Sequence, residues 1–311
     1  DSFKVIADDE KLFGYPAYRF CDSIYGGSIF DMTGFRDSLY VTICTGTPEN
    51  ASDRDTMQSF AMVRGDLSEN GEWVWNSVIG DKEEDGAKYT FGIDPQRTRS
   101  GAANLQVFGD YLYIGEYNDE EIAVERMLFD NDFTFMNKNF EQPVNLYRMD
   151  KNEEIELIVG DADEMFPDGG LSGYGSGFGC SENQYVWKMT VYDGKFYVGT
   201  YDASSFLIPL DEYMNDKNAS EEWKSRVDGY IKTLCADYSG VPQSAVTCAE
   251  YLDKAVFGFD LYVTEDGVNF TKITDNGFGD PYNHGLRAFG ITSGGLYIGT
   301  ANPFYGTQVW K

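Results

Sequence analysis

Apolar and polar positions alternate through four short runs that resemble one another: Ser38-Leu-Tyr-Val-Thr-Ile, Tyr111-Leu-Tyr-Ile-Gly-Glu, Lys195-Phe-Tyr-Val-Gly-Thr and Gly295-Leu-Tyr-Ile-Gly-Thr. Each follows a polar or glycine turn, the pattern of a β-strand leaving a hairpin. A second apolar lane precedes each run. Gly34, Val107, Val191 and Ile291 stand before the repeated tyrosines Tyr40, Tyr113, Tyr197 and Tyr297, with Met32, Leu105, Met189 and Phe289 two places earlier. That period of two predicts a buried strand ahead of each run.

Third and fourth strands are expected to follow. Phe60 to Val63 leads to Trp73–Ile79, Leu146 to Met149 to Ile155–Val159, and Leu261 to Val263 to Phe270–Ile273. The last repeat stops after its third strand, Thr307 to Trp310, and a matching fourth, Val5-Ile-Ala-Asp8, stands at the start of the sequence. Repetition at long intervals is the mark of a repeat architecture. The expectation is an all-β, single-domain β-propeller over residues 1–311, with four four-stranded blades (alternatively five, since 203–256 has room for another). Val5–Asp8 would close the last blade. Ser220 is a candidate cap for a helical insertion near 211–236, and a second helix is expected near 119–129.

Composition narrows the function classes. A net charge of −28 disfavours nucleic acid and anionic membrane surfaces as partners. No apolar run reaches the roughly 20 residues of a membrane-spanning helix. Five cysteines match no zinc spacing. Cys235 with Cys248, and Cys21 with Cys44, are candidate pairs that would leave Cys180 free. Export is therefore permitted, and Asp1 in place of Met fits a processed or trimmed start.

The turn Thr264-Glu-Asp-Gly-Val-Asn-Phe270 resembles the Asp-box of sialidase-like and BNR-repeat propellers, one residue shorter than the usual form; Ser68-Glu-Asn-Gly-Glu-Trp73 is similar to a degenerate copy. Most of the chain resembles an uncharacterised branch of exported bacterial propellers with repeated Leu-Tyr-Val-Gly-Thr strands. The resemblance implies a propeller, a secreted or cell-surface location, and a structural rather than catalytic Asp-box. It does not imply sialidase activity: Tyr18-Arg-Phe-Cys stands near the place of the early sialidase motif but lacks its Ile-Pro.

Strand order puts nearly all long loops on one face: 9–27, 46–58, 82–100, 118–144, 162–184, 203–256, 276–285 and 302–306. Binding groups concentrate on loops carried by a rigid scaffold. Thr45, Asn118, Asp202 and Asn302, five places past the repeated tyrosines, would ring the propeller axis there. Tyr117 and Tyr201 are candidates for stacking on a sugar. Glu116 and Asp202 are the carboxylates nearest the axis. His284 is the only histidine, and Arg287 fills a lane held by Phe30, Ala103 and Trp187 in the other repeats. These nine residues (Thr45, Glu116, Tyr117, Asn118, Tyr201, Asp202, His284, Arg287 and Asn302) form the expected ligand site. The expected ligand is a glycan, small polyol or protein. No cofactor is expected, with Ca²⁺ left open by the acidic clusters. A carbohydrate hydrolase or lyase, or a Ca²⁺-dependent lactonase-like enzyme, is the alternative. The chain is expected to be a monomer.

Overall fold

A computed structural model describes residues 3–8, 29–44, 60–80, 86–90, 92–97, 100–118, 139–206, 208, 220–221, 225 and 256–311. Thr45, the helix expected near 119–129, the one expected near 211–236 apart from Ser220, Glu221 and Ser225, and Cys21, Cys235 and Cys248 lie outside these residues, as does the side chain of Cys44. The chain divides into two compact units, one of residues 1–122 and 144–175, the other of 123–143 and 176–311.

The first unit holds two antiparallel meanders. One runs β1 (Ile29–Phe35), β2 (Ser38–Cys44), β3 (Phe60–Leu67) and β4 (Trp73–Gly80), extended by a short parallel β5 (Tyr89–Thr90). The other runs β6 (Ser100–Phe108), β7 (Tyr111–Asn118), β8 (Leu146–Met149) and β9 (Ile155–Val159). The second unit holds β10 (Asn183–Tyr192), β11 (Lys195–Asp202), β12 (Leu261–Thr264) and β13 (Thr271–Thr274). There β14 (Gly285–Thr292), β15 (Gly295–Ala301) and β16 (Val309–Trp310) make a three-stranded meander.

The four leading hairpins share one register: Gly34 pairs with Leu39, Val107 with Leu112, Val191 with Phe196, and Ile291 with Leu296. A two-residue turn fixes this register, and Asp193 (φ 51°) with Gly194 (φ 73°) shows the left-handed pair that matches strand twist. Near the open end of each hairpin an extra residue bulges from the first strand. Trp187 is the extra residue between Val186 and Lys188, and Arg287 the one between Leu286 and Ala288.

Burial follows the alternation. In the first unit Phe60, Met62, Ile79, Leu112, Ile114 and Tyr147 belong to one core drawn from both meanders. In the second, Phe259, Leu261, Leu286 and Ile298 cluster across the last two meanders. The expected pairing of Val5–Asp8 as a fourth strand is not made. Residues 3–8 form no strand, and Ala7 instead packs against Val41, Ile43, Ala61 and Val63 of the first meander. Apolar cover from that sheet face replaces the ladder that the sequence match predicted.

Candidate ligand-binding site

In the first unit, β7 carries Glu116, Tyr117 and Asn118 to the end of the strand. Glu116 is 1% exposed and fully engaged. Its carboxylate accepts from Arg97 Nε at 3.1 and 3.0 Å, from the Asn145 backbone N–H at 2.7 Å and from the Tyr147 hydroxyl at 3.1 Å. Arg97 Nη2 adds an ion pair at 2.7 Å. Burial and the adjoining Glu116 charge push the Tyr147 hydroxyl well above its ordinary pKa. On the other face of β7, Tyr117 meets the ring of Phe30 edge-on at 4.8 Å. Asn118 is buried.

The neighbouring repeats explain Glu116. Thr200 Oγ1 accepts from the Asp260 N–H at 2.9 Å, and Thr300 Oγ1 from the Gln308 N–H at 2.9 Å. Each sits three places past a repeated tyrosine, as Glu116 does, and each acceptor joins the second strand to the residue opening the third. Glu116 makes the same bond to Asn145, with a carboxylate in place of a hydroxyl. The opposite partner changes with it. The Arg97 N–H bonds the Asp94 carbonyl, as the Asn183 N–H bonds that of Cys180 and the Asn283 N–H that of Asp280.

A motif in the loops was not visible in the apolar pattern. Gly177-Phe-Gly-Cys-Ser-Glu-Asn183 and Gly277-Phe-Gly-Asp-Pro-Tyr-Asn283 fold alike. Phe178 and Phe278 have φ of 60° and 62°, each between two positive-φ glycines. Asn183 Nδ2 donates to the Gly177 carbonyl at 2.8 Å and to Asp260 at 2.9 Å, and Asn283 Nδ2 to the Gly277 carbonyl at 3.0 Å and to Gln308 at 2.9 Å. The spacing Gly-Phe-Gly-x-x-x-Asn, repeated ahead of two rhyming hairpins, was the available signal.

The second unit brings together Tyr201, Asp202, His284, Arg287 and Asn302. Asp202 Oδ1 accepts from the Ser204 N–H at 2.7 Å and its hydroxyl at 2.6 Å. Oδ2 accepts from the Ser205 hydroxyl at 3.0 Å and the Gly258 N–H at 2.6 Å. Burial pushes the carboxyl up to about 7 against the pull of these donors. Tyr201 is 5% exposed and stacks on Tyr185 at 4.3 Å. It is packed in the fold, so the expected face for a sugar is taken by protein.

His284 lies edge-on to Tyr201 at 4.9 Å, and burial pulls its imidazole down to about 4. Its backbone carbonyl accepts from the Asp202 N–H at 2.7 Å. The Arg287 guanidinium, exposed, lies 5.0 Å from the centre of the Trp187 ring. Asn302 Nδ2 donates to Asn283 Oδ1 at 3.4 Å while its own Oδ1 accepts from the N–H groups of Phe304 and Tyr305. That loop presents Tyr305, 62% exposed, with Tyr282 edge-on to both Phe304 and Tyr305. Asp280 receives the Tyr305 hydroxyl and the Gln308 amide.

Elsewhere the sequence candidates are structural. Asp266 Oδ2 accepts from the Asn269 side-chain amide at 2.6 Å and Oδ1 from the N–H groups of Asn269 at 2.7 Å and Val268 at 2.9 Å, and these bonds hold its carboxyl well below the usual range. Arg64 is bound to Asp66 at 2.9 Å and to Glu153. Cys180 is a free thiol, raised well above its ordinary pKa by burial and Glu182. Among the described residues no group of three His, Cys, Asp or Glu side chains is arranged to hold a metal, and no helix is long and apolar enough to cross a membrane.

No protein-family model matches the chain, and no curated protein matches it. Solved structures similar to it include that of YjhT, at 11% identity and a TM-score of 0.35 over 92% of this chain and 64% of that one. The GH32 β-fructofuranosidase BmSUC1 of Bombyx mori is similar at 11% identity and 0.33, over 89% of this chain and 42% of the other. An α-L-arabinofuranosidase (CtGH43) of Clostridium thermocellum is similar at 9% identity and 0.25, over 89% and 82%. The chain thus spans less than two thirds of the length of the first two. These are loose likenesses of chain path; the site's own residues are what bear on function.

Proposed function

We propose that the chain is an exported or cell-surface binding module built as a β-propeller, and that it recognises a glycan or small polyol through its long loops. The four hairpins in one register support radial repetition, with four blades by the described meanders and residues 203–256 leaving room for a fifth. One observation carries binding over catalysis. The two carboxylates that the alternative enzyme reading would use, Glu116 and Asp202, each accept from protein donors that include a backbone N–H. A carboxylate so committed holds strands together and is poorly placed to move a proton for a substrate.

The loop 302–306 and the segment 276–285 supply what a sugar needs instead. Tyr305, Tyr282 and Phe304 offer aromatic faces for C–H groups, and polar atoms of Asp280 and Gln308 stand beside them. The test is a glycan array read with the purified chain and with Tyr305→Ala. Selective binding that falls at least tenfold in the variant supports the reading. Binding unaltered by Tyr305→Ala removes the site from this loop, and an array without a single bound glycan removes the glycan.

A hydrolase reading would take its general acid from Asp94. Burial and the charge of Asp163 push Asp94 up to about 6, the range of a general acid. Turnover of aryl glycosides by the wild type that is lost in Asp94→Asn would establish it.

A further inference from the structure

Arg287 stands apart from the other described arginines. Arg36, Arg64, Arg97 and Arg148 each hold a carboxylate. Arg287 instead lies over the Trp187 ring, in a chain with 52 acidic residues against 24 basic ones. The surplus of carboxylates makes an arginine without one a departure that needs a cause.

Its place in the fold is built. Arg287 is the extra residue of the β14 bulge, and Trp187 is the extra residue of the β10 bulge. Bulges re-aim a side chain out of the ladder. Trp187 lies so close over Gly285 that a Cβ there would meet its ring at 1.9 Å. Tyr201 and His284 close on the ring edge-to-face at 5.2 and 5.9 Å. The indole is therefore held from several sides, and the exposed Arg287 lies on it at cation–π distance. An exposed guanidinium that holds no carboxylate among the described residues matches one chemistry best, a carboxylate taken by two parallel hydrogen bonds.

We propose that Arg287 anchors the carboxylate of an acidic saccharide, of the uronate type, with Trp187 as the positioning residue. The inference rests on the glycan reading above and names its ligand class. The chain's net negative charge opposes approach of such a ligand from a distance, but beyond about 8–10 Å that repulsion is screened at physiological salt. The short-range pair decides.

Titration calorimetry with trigalacturonate, galactotriose and acetate tests it, using the full chain, Arg287→Ala, Arg287→Lys and Trp187→Phe. Trigalacturonate is expected to bind at least tenfold more tightly than galactotriose. Arg287→Ala should erase that preference, and Arg287→Lys should keep only part of it, because a point charge lacks the fork. Trp187→Phe should weaken trigalacturonate several-fold without changing galactotriose. Equal affinity for the two sugars, or a preference that survives Arg287→Ala, overturns the inference and leaves the glycan reading standing. Binding of neither sugar overturns the inference, while the glycan array alone decides the glycan reading. Acetate binding as tightly as trigalacturonate overturns the saccharide part, because any carboxylate would then suffice.

Discussion

Glu116 and Arg97 form a buried ion pair at 2.7 Å in the place where the next two repeats use a threonine and an asparagine. Removing one member leaves the other charged and without its partner, which costs about 3–5 kcal/mol. Glu116→Gln and Arg97→Asn should each lower the unfolding free energy by that order in urea titrations. The double variant Glu116→Thr with Arg97→Asn, which copies the neighbouring repeats, should recover a large part of the loss. A double variant as weak as the sum of the singles would show that the three positions are not equivalent.

His284 makes a pH-dependent contribution. Its folded pKa, about 4, lies below the ordinary 6.5, so the neutral ring is favoured by folding. The associated stability is present above about pH 6.5 and is lost as pH falls through about 4, by an amount on the order of 3 kcal/mol. Wild-type stability minus that of His284→Gln, measured by urea unfolding at several pH values, should shrink by that order between about pH 7 and pH 4. A difference flat with pH would contradict burial of the neutral imidazole.

Asp202 shifts the other way. Raised to about 7 by burial, it favours folding while protonated, and that stability is complete below the ordinary carboxylate range and lost as pH rises through 7. Asp202→Asn replaces one acceptor oxygen with an NH2 group, so either the two Ser204 donors or the Ser205 hydroxyl and the Gly258 N–H face a donor in place of their acceptor. A cost of about 1–3 kcal/mol at neutral pH is expected, read from the unfolding midpoint. Unchanged stability with binding abolished would instead mark Asp202 as a ligand residue.

Gly285→Ala should displace Trp187, since the added methyl and the indole cannot share their positions. The cost is about 1–3 kcal/mol, as for other overpacked sites. A shifted tryptophan fluorescence maximum should accompany it. An unshifted spectrum with wild-type stability would mean that the ring is not seated on the glycine.

Much of the strand order was legible because alternation survives where one face is buried. The pairs Gly34–Leu39 and Ile291–Leu296 follow from the rhyming runs and their turns. Ring closure by Val5–Asp8 read a similarity of residues as a pairing, whereas Ala7 finds its apolar cover on the first meander. The site was legible by position and not by role. Asn302 and Asp202 sit at strand ends as expected, but Asp202 turned inward to cap Ser204 and Gly258, and Tyr201 stacked on Tyr185. Those outcomes depend in part on partners distant in the chain, Gly258 for Asp202 and Tyr185 for Tyr201. The Asn183 and Asn283 clamps went unseen because loop glycines and amides carry no periodicity.

The most direct test of the central claim, binding with both buried carboxylates given to the fold, is NMR of a captured glycan left with the protein. The account predicts broadened ligand resonances with every glycosidic bond intact over time. Cleavage by the wild type that Glu116→Gln or Asp202→Asn abolishes in a folded variant would contradict it.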